Sequence, residues 1–134
     1  MKILISTLSF SNVNPIKALE LISKNGFRYI EASPSFLGFF SPNQDIIKEI
    51  SNCIKNTKIN IISLQSLFFG HKIHLDDDFI QNNYLYLKKI IQLSNMFSVE
   101  NISIGNMPSR KLKLDNKIIK DINFKIISKI VNLL

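Results

Sequence analysis

Gly26 to Pro34 reads GFRYIEASP, and it contains the whole of a repeating unit in miniature. A glycine halts a preceding amphipathic stretch, a short run of strand-forming residues follows (Arg28 to Ala32), and the run ends on Glu31 and Ser33 before a proline. Upstream, Asn14 and Pro15 form an N-cap and first-turn pair, and Ile16, Leu19 and Ile22 recur at helical spacing until Gly26. The stretch therefore joins the end of one helix to a new strand, and the strand's last residues are polar.

Working outward, the same unit recurs four times. The first strand is KILIS, Lys2 to Ser6. After the second strand, Ser41 and Pro42 repeat the helix-start signal, and Ile46, Ile47, Ile50 and Ile54 mark one face of the helix that follows. The third strand is NIISL, Asn60 to Leu64. Beyond it Asp76, Asp77 and Asp78 favour a helix N-terminus, with Ile80, Tyr84, Leu87, Ile91 and Ser94 on one face. The fourth strand is NISIG, Asn101 to Gly105, and Asp115 opens a last helix with Ile118 or Ile119, Ile122, Ile126 and Ile130 inward. Short apolar strands alternating with amphipathic helices predict an α/β fold with parallel strands and outer helices, because each helix is the crossover between neighbours. A doubly wound sheet and a barrel both satisfy that pattern. No glycine follows the first strand in STLSFSNVNP, so a dinucleotide-binding fingerprint is lacking. A complete (β/α)8 barrel takes about 250 residues, and this chain of 134 residues has four units.

With 46% hydrophobic residues the 134-residue chain can bury one core and is read as a single domain, 1–134. The net charge of +7 comes from lysines scattered on helix faces rather than from an arginine-rich or aromatic-interleaved patch, so no nucleic-acid partner is expected. The single cysteine, Cys53, cannot form an intrachain disulfide and lies within an apolar helical pattern; a buried structural thiol in a reducing cytoplasm is the expectation. Ser6, Thr7 and Ser9 interrupt the N-terminal apolar run short of signal-peptide length, and no segment is long enough to span a membrane. No membrane partner is expected.

In parallel α/β folds the ligand face is built from strand C-termini and the loops after them. Here that face would carry Ser6 and Thr7, Glu31 and Ser33, Gln65 and Ser66, and Asn106 and Arg110. Any one of these has a structural explanation, such as a backbone cap or an ion pair. Four polar strand ends on one rim suit a polyhydroxylated or phosphorylated small molecule, whose hydroxyls need matched donors and acceptors to replace water.

Three segments, GFRYIEASP (26–34), SLQSLFFG (63–70) and ISIGNMPSRK (102–111), resemble the sugar phosphate isomerase/epimerase family of the xylose isomerase-like TIM-barrel superfamily. The resemblance runs in order over nearly the whole chain and implies half of a TIM (β/α)8 barrel, its strands 1 to 4 and helices 1 to 4. It implies a sugar or sugar phosphate as ligand, with Glu31, Gln65, Ser66 and Arg110 as substrate-side contacts, to which the strand-end reading adds Asn106 and Ser6. The family also implies a divalent metal, held by Glu, Asp and His at the strand ends of the second half, and no residue of this chain matches those ligands. Catalytic residues are therefore unassigned, and turnover by this chain alone is not expected.

His71 and His74, followed by Asp76 to Asp78, have a metal-like composition. The aspartates already have a helix-capping role and the resembling family places its metal elsewhere, so no metal site is expected there. The endonuclease IV branch of the same superfamily carries histidines at the third and fourth strand ends; this chain has Gln65 and Gly105 or Asn106, which argues against DNA repair. Half a barrel would leave its first and fourth strands as open edges. The expected partner is a second copy of the chain or a missing C-terminal half, and a non-catalytic half-barrel that binds a small ligand or assembles as a homodimer is the competing reading.

Overall fold

The computed structural model of the chain describes residues 2–43, 45–68 and 79–103. Four strands, β1 (Leu4–Ser6), β2 (Tyr29–Ala32), β3 (Asn60–Leu64) and β4 (Asn101–Ile102), alternate with three helices, α1 (Pro15–Lys24), α2 (Asp45–Thr57) and α3 (Phe79–Met96). A 3-10 turn over Thr7–Phe10 follows β1 directly. The strands are all parallel and ordered β1-β2-β3-β4. A doubly wound sheet reverses its strand order at a switch point; this one advances in a single direction, as a barrel wall does.

Strand alternation sorts the two faces. Ile30, Ala32, Ile61 and Leu64 are buried in one cluster with Ala18, Leu19 and Ile22 of α1, Ile50 of α2 and Leu87, Ile90 and Leu93 of α3. Tyr29 and Glu31, the alternate residues of β2, are half-buried and belong to the opposite face. The helices thus cover one side of the sheet, as right-handed crossovers require.

The start of α1 follows its sequence signal: Asn14 Oδ1 accepts from the amides of Ile16 at 2.9 Å and Lys17 at 3.3 Å, and Pro15 occupies the first turn. Its end does too, with Gly26 at φ +83° just beyond Asn25. Three expectations need correction. β1 begins at Leu4 and β2 at Tyr29, so Lys2, Ile3 and Arg28 precede the strands; the Arg28 carbonyl still accepts from the Asn60 amide at 2.8 Å, and its guanidinium donates to the Ser23 carbonyl at 3.0 Å. α2 begins at Asp45 rather than after Ser41, because Ser41 Oγ accepts from the Asn43 amide and Asn43 Oδ1 from the Asp45 amide, two side-chain turns that delay the helix. On α3 the buried stripe is Leu87, Ile90, Leu93 and Ser94, while Tyr84 is exposed. The fourth strand's end and the final helix, from residue 104 onward, lie outside the described residues, as do Phe69, His71, His74 and Asp76 to Asp78.

The stripe on α3 is rotated by an aromatic group. Phe39 meets Phe40 and Tyr86 edge-on at centroid distances of 4.9 Å and 5.4 Å, and Phe68 lies 5.9 Å from Tyr86. The Tyr86 hydroxyl donates to the Leu67 carbonyl. Leu67 and Phe68 are accordingly core residues. Burial pushes the Tyr86 phenol up to about 12. Its neutral form is favoured by the fold, so this contribution is complete below the unfolded value of about 10 and is lost as pH rises towards 12. Urea midpoints are expected to fall more steeply between pH 10 and 12 for the native chain than for Tyr86→Phe; equal slopes would contradict this assignment.

Candidate functional site

One polar row crosses the four strands, level with the C-terminal parts of β1, β2 and β3 and with the start of β4. Ser6 pairs in register with Glu31, Glu31 with Ser63, and Ser63 with Asn101. The middle pairing depends on an irregularity: Ile30 stands opposite Ile61, but the next pair is Glu31 with Ser63, so Ile62 is passed over. Without that bulge an isoleucine would stand beside the carboxylate. Ser63 and Asn101 are the members of this row that strand-end reasoning misses, because simple alternation from Ile61 gives the wrong partner.

Gln65 extends β3 beyond its last ladder residue, its amide donating to the Ala32 carbonyl at 2.9 Å. Its side chain spans β2, and Nε2 donates to Ser6 Oγ at 2.6 Å. Two residues expected at the rim are thus joined directly across 59 positions of sequence. Ser6 also caps the 3-10 turn, accepting from the Leu8 amide at 3.4 Å, so its structural and rim roles coexist. Ser66 takes φ +53° and turns the chain out of the strand. Below the rim, buried Thr7 Oγ1 accepts from the Ser33 amide at 3.1 Å and Ser33 Oγ from the Phe36 amide at 3.2 Å, which ties the loop after β2 to the end of β1. Asn106 and Arg110 lie outside the described residues.

Glu31 is the one charged side chain of the row, and among the described residues its carboxylate has no hydrogen-bond or ion-pair partner. At the other end of the strands Lys2 Nζ lies 4.0 Å from Glu100 Oε1 and 5.1 Å from the centroid of the Tyr29 ring. Such an exposed pair contributes little to stability. Ser63 Oγ, by contrast, is buried and 3.4 Å from Ser103 Oγ.

Cys53 is only partly buried, packed between α2 and α1 with Sγ 3.9 Å from the Ile16 carbonyl oxygen. Burial, and secondarily the charge of Glu20, push its thiol up, the opposite of an activated nucleophile. Among the described residues no three His, Cys, Asp or Glu side chains come together as a metal set. No described helix is long and apolar enough to cross a membrane.

Strand order and single-sided helices together define a parallel α/β arrangement of the kind that forms part of a TIM barrel. One solved structure similar to it is the probable 3-DHS dehydratase AsbF of Bacillus anthracis, involved in petrobactin synthesis, with a TM-score of 0.59 and 21% identity over 76% of this chain and 37% of that one. Another is a xylose isomerase domain protein of Alicyclobacillus acidocaldarius subsp. acidocaldarius, with a TM-score of 0.56 and 11% identity over 82% of this chain and 40% of that one. At these identities the likeness concerns the fold, and this chain spans about two fifths of the length of either. No protein-family model and no curated protein matches the sequence.

Proposed function

We propose that this chain supplies the substrate-contacting rim of a sugar or sugar phosphate isomerase or epimerase, binding the ligand without turning it over by itself. The observation that carries this reading is the row Ser6, Glu31, Ser63 and Asn101 in register across the adjacent strands, with Gln65 bridging to Ser6. A polyol needs acceptors and donors within one hydrogen-bonding reach of each other. Glu31 offers an ionised acceptor with several lone pairs, and the Gln65 amide retains an acceptor oxygen and a second N–H after its bond to Ser6. The hydroxyl hydrogen of Ser6 is a further donor.

Isomerisation and epimerisation remove a proton beside a carbonyl, and a divalent metal, when bound, stabilises the resulting negative charge. The described residues do not assemble a set that fits such a metal. The chain's own part is to hold and orient hydroxyl groups against Glu31.

Titration with a pentose and with its 5-phosphate, followed residue by residue in amide NMR spectra, tests this. Shifts are expected to cluster at Ser6, Glu31 and Gln65, and Glu31→Gln is expected to weaken binding about 10-fold or more, the scale of a hydrogen bond to a charged group. Perturbations confined to other surfaces, or undiminished affinity in Glu31→Gln, would remove the basis of the proposal. A preference for the phosphate ester over the free sugar would assign part of the affinity to cationic groups outside the row.

A further inference from the structure

The polar row has a consistent hydrogen-bond sense. Both of its side-chain amides give their N–H ends to the protein. Gln65 Nε2 donates to Ser6 Oγ at 2.6 Å, and Asn101 Nδ2 donates at 3.5 Å to the carbonyl of Ile62, the residue passed over where β2 pairs with β3. A carbonyl can only accept, so the Asn101 amide cannot turn round without losing that bond. Gln65 Oε1 and Asn101 Oδ1 are left over, and neither has a partner among the described residues. On β2, between β1 and β3, stands the Glu31 carboxylate, also without a partner among them. No buried side-chain nitrogen or oxygen of the described residues lacks a hydrogen bond, so the free oxygens of the half-buried Gln65 and Glu31 are open to a ligand.

The ionised carboxylate and Gln65 Oε1 can only accept, and no Lys or Arg belongs to the row. Ser6 is the exception to this sense. Its Oγ receives both Gln65 Nε2 and, at 3.4 Å, the Leu8 amide, which uses its two lone pairs and leaves the O–H to donate. A neutral sugar would satisfy the acceptors with hydroxyl hydrogens, but the charge on the half-buried carboxylate would stay uncompensated. A protonated amine supplies three donors and the missing positive charge together.

We propose that the row selects a ligand with a protonated amine beside a hydroxyl group, as in an amino sugar such as glucosamine. The ammonium lies between Glu31 and Gln65 Oε1, and the neighbouring hydroxyl oxygen accepts from Ser6. Ser6 is then a positioning residue as well as a donor, because its bond to Nε2 keeps Oε1 turned towards the ligand. A phosphate or carboxylate in this place would meet a like charge. The proposal rests on the reading of the rim as a sugar site and narrows that site to a cationic sugar.

The test is amide NMR titration of the full chain with glucosamine, glucose and N-acetylglucosamine at about pH 6, where the free amine is protonated. Glucosamine is expected to bind about 10-fold or more tightly than glucose, the scale of a hydrogen bond to a charged group, with shifts at Ser6, Glu31 and Gln65. N-acetylation removes the charge and is expected to abolish the advantage, and raising the salt from about 0.02 to 0.3 M to shrink it. Glu31→Gln is expected to bring the affinities for glucosamine and glucose together; Ser6→Ala weakens glucosamine binding and Ser6→Thr does not. Glucose binding at the row as tightly as glucosamine overturns the proposal and leaves the rim reading standing, whereas an absence of row shifts with every sugar, pentose included, removes both. Methylamine binding as tightly as glucosamine would mean an adventitious cation only and would also overturn the proposal.

Discussion

Replacing Gly38 by alanine is expected to destabilise the fold by about 2–5 kcal/mol, whereas the same change at Gly26 costs about 1–2 kcal/mol. Both glycines have a positive φ, +79° at Gly38 and +83° at Gly26, so both substitutions carry the left-handed penalty of an L-residue, about 1–2 kcal/mol. Only Gly38 adds a packing conflict. A Cβ there would come within 2.8 Å of Ile46 Cγ2 and 3.4 Å of Ile47 Cγ1, while at Gly26 nothing lies within 4 Å. Ile46 Cγ2 is a branch methyl on a stiff side chain, so α2 or the loop must move, at a further cost of about 1–3 kcal/mol. Leu37, fully buried beside it, and the bond from the Phe39 amide to the Pro34 carbonyl hold that loop in place. Urea denaturation of the two variants separates the contributions; equal losses would mean that the approach of α2 is not the constraint.

Ile30→Ala is the other large expected loss, about 2–5 kcal/mol. Ile30 is wholly buried on β2 and stands in register between Ile5 and Ile61, so a deletion there opens a cavity walled by strands that cannot easily close in. It also immediately precedes the bulge that brings Ser63 opposite Glu31. Its effect should therefore reach the rim, with pentose binding weakened in the folded fraction as well as the fraction itself reduced. Leu85→Ala, at an exposed position of the same class of residue, is expected to change stability by no more than about 0.5 kcal/mol. Comparable unfolding midpoints for the two variants would sink this reading of the core.

The parts of the fold legible from sequence are those written within a few residues. Asn14 with Pro15, the stop at Gly26, and the strand from Asn60 to Leu64 all stand where local signals place them. The delayed start of α2 was less legible, because Ser41 and Asn43 can cap a helix or form a turn and the choice depends on Gly38 and Leu37 packing under α2. The stripe on α3 departs from its spacing at Tyr84 for a similar reason, while Leu87 and Ser94 keep to it. Tyr84 and Leu87 fit one helical face on spacing alone, but Phe39 and Phe68 draw Tyr86 inward and turn the helix towards Ile90 and Leu93.

For the candidate site the division is the same. Ser6, Glu31 and Gln65 could be found as polar residues closing apolar strands, since parallel strands present their C-termini to a ligand. Ser63 could not, because its place opposite Glu31 rests on a bulge that neither strand announces.

By itself the sequence determined the alternation of strand and helix, hence parallel pairing, and the glycines and caps that bound the elements, because these follow from periodicity and backbone sterics over a few residues. Only the tertiary structure decided that the strands run β1-β2-β3-β4 in one direction, that Ser6, Glu31, Ser63 and Asn101 form one row, and that Gln65 reaches Ser6. Those features depend on register between distant segments. Register is fixed by packing the buried faces of all the strands at once.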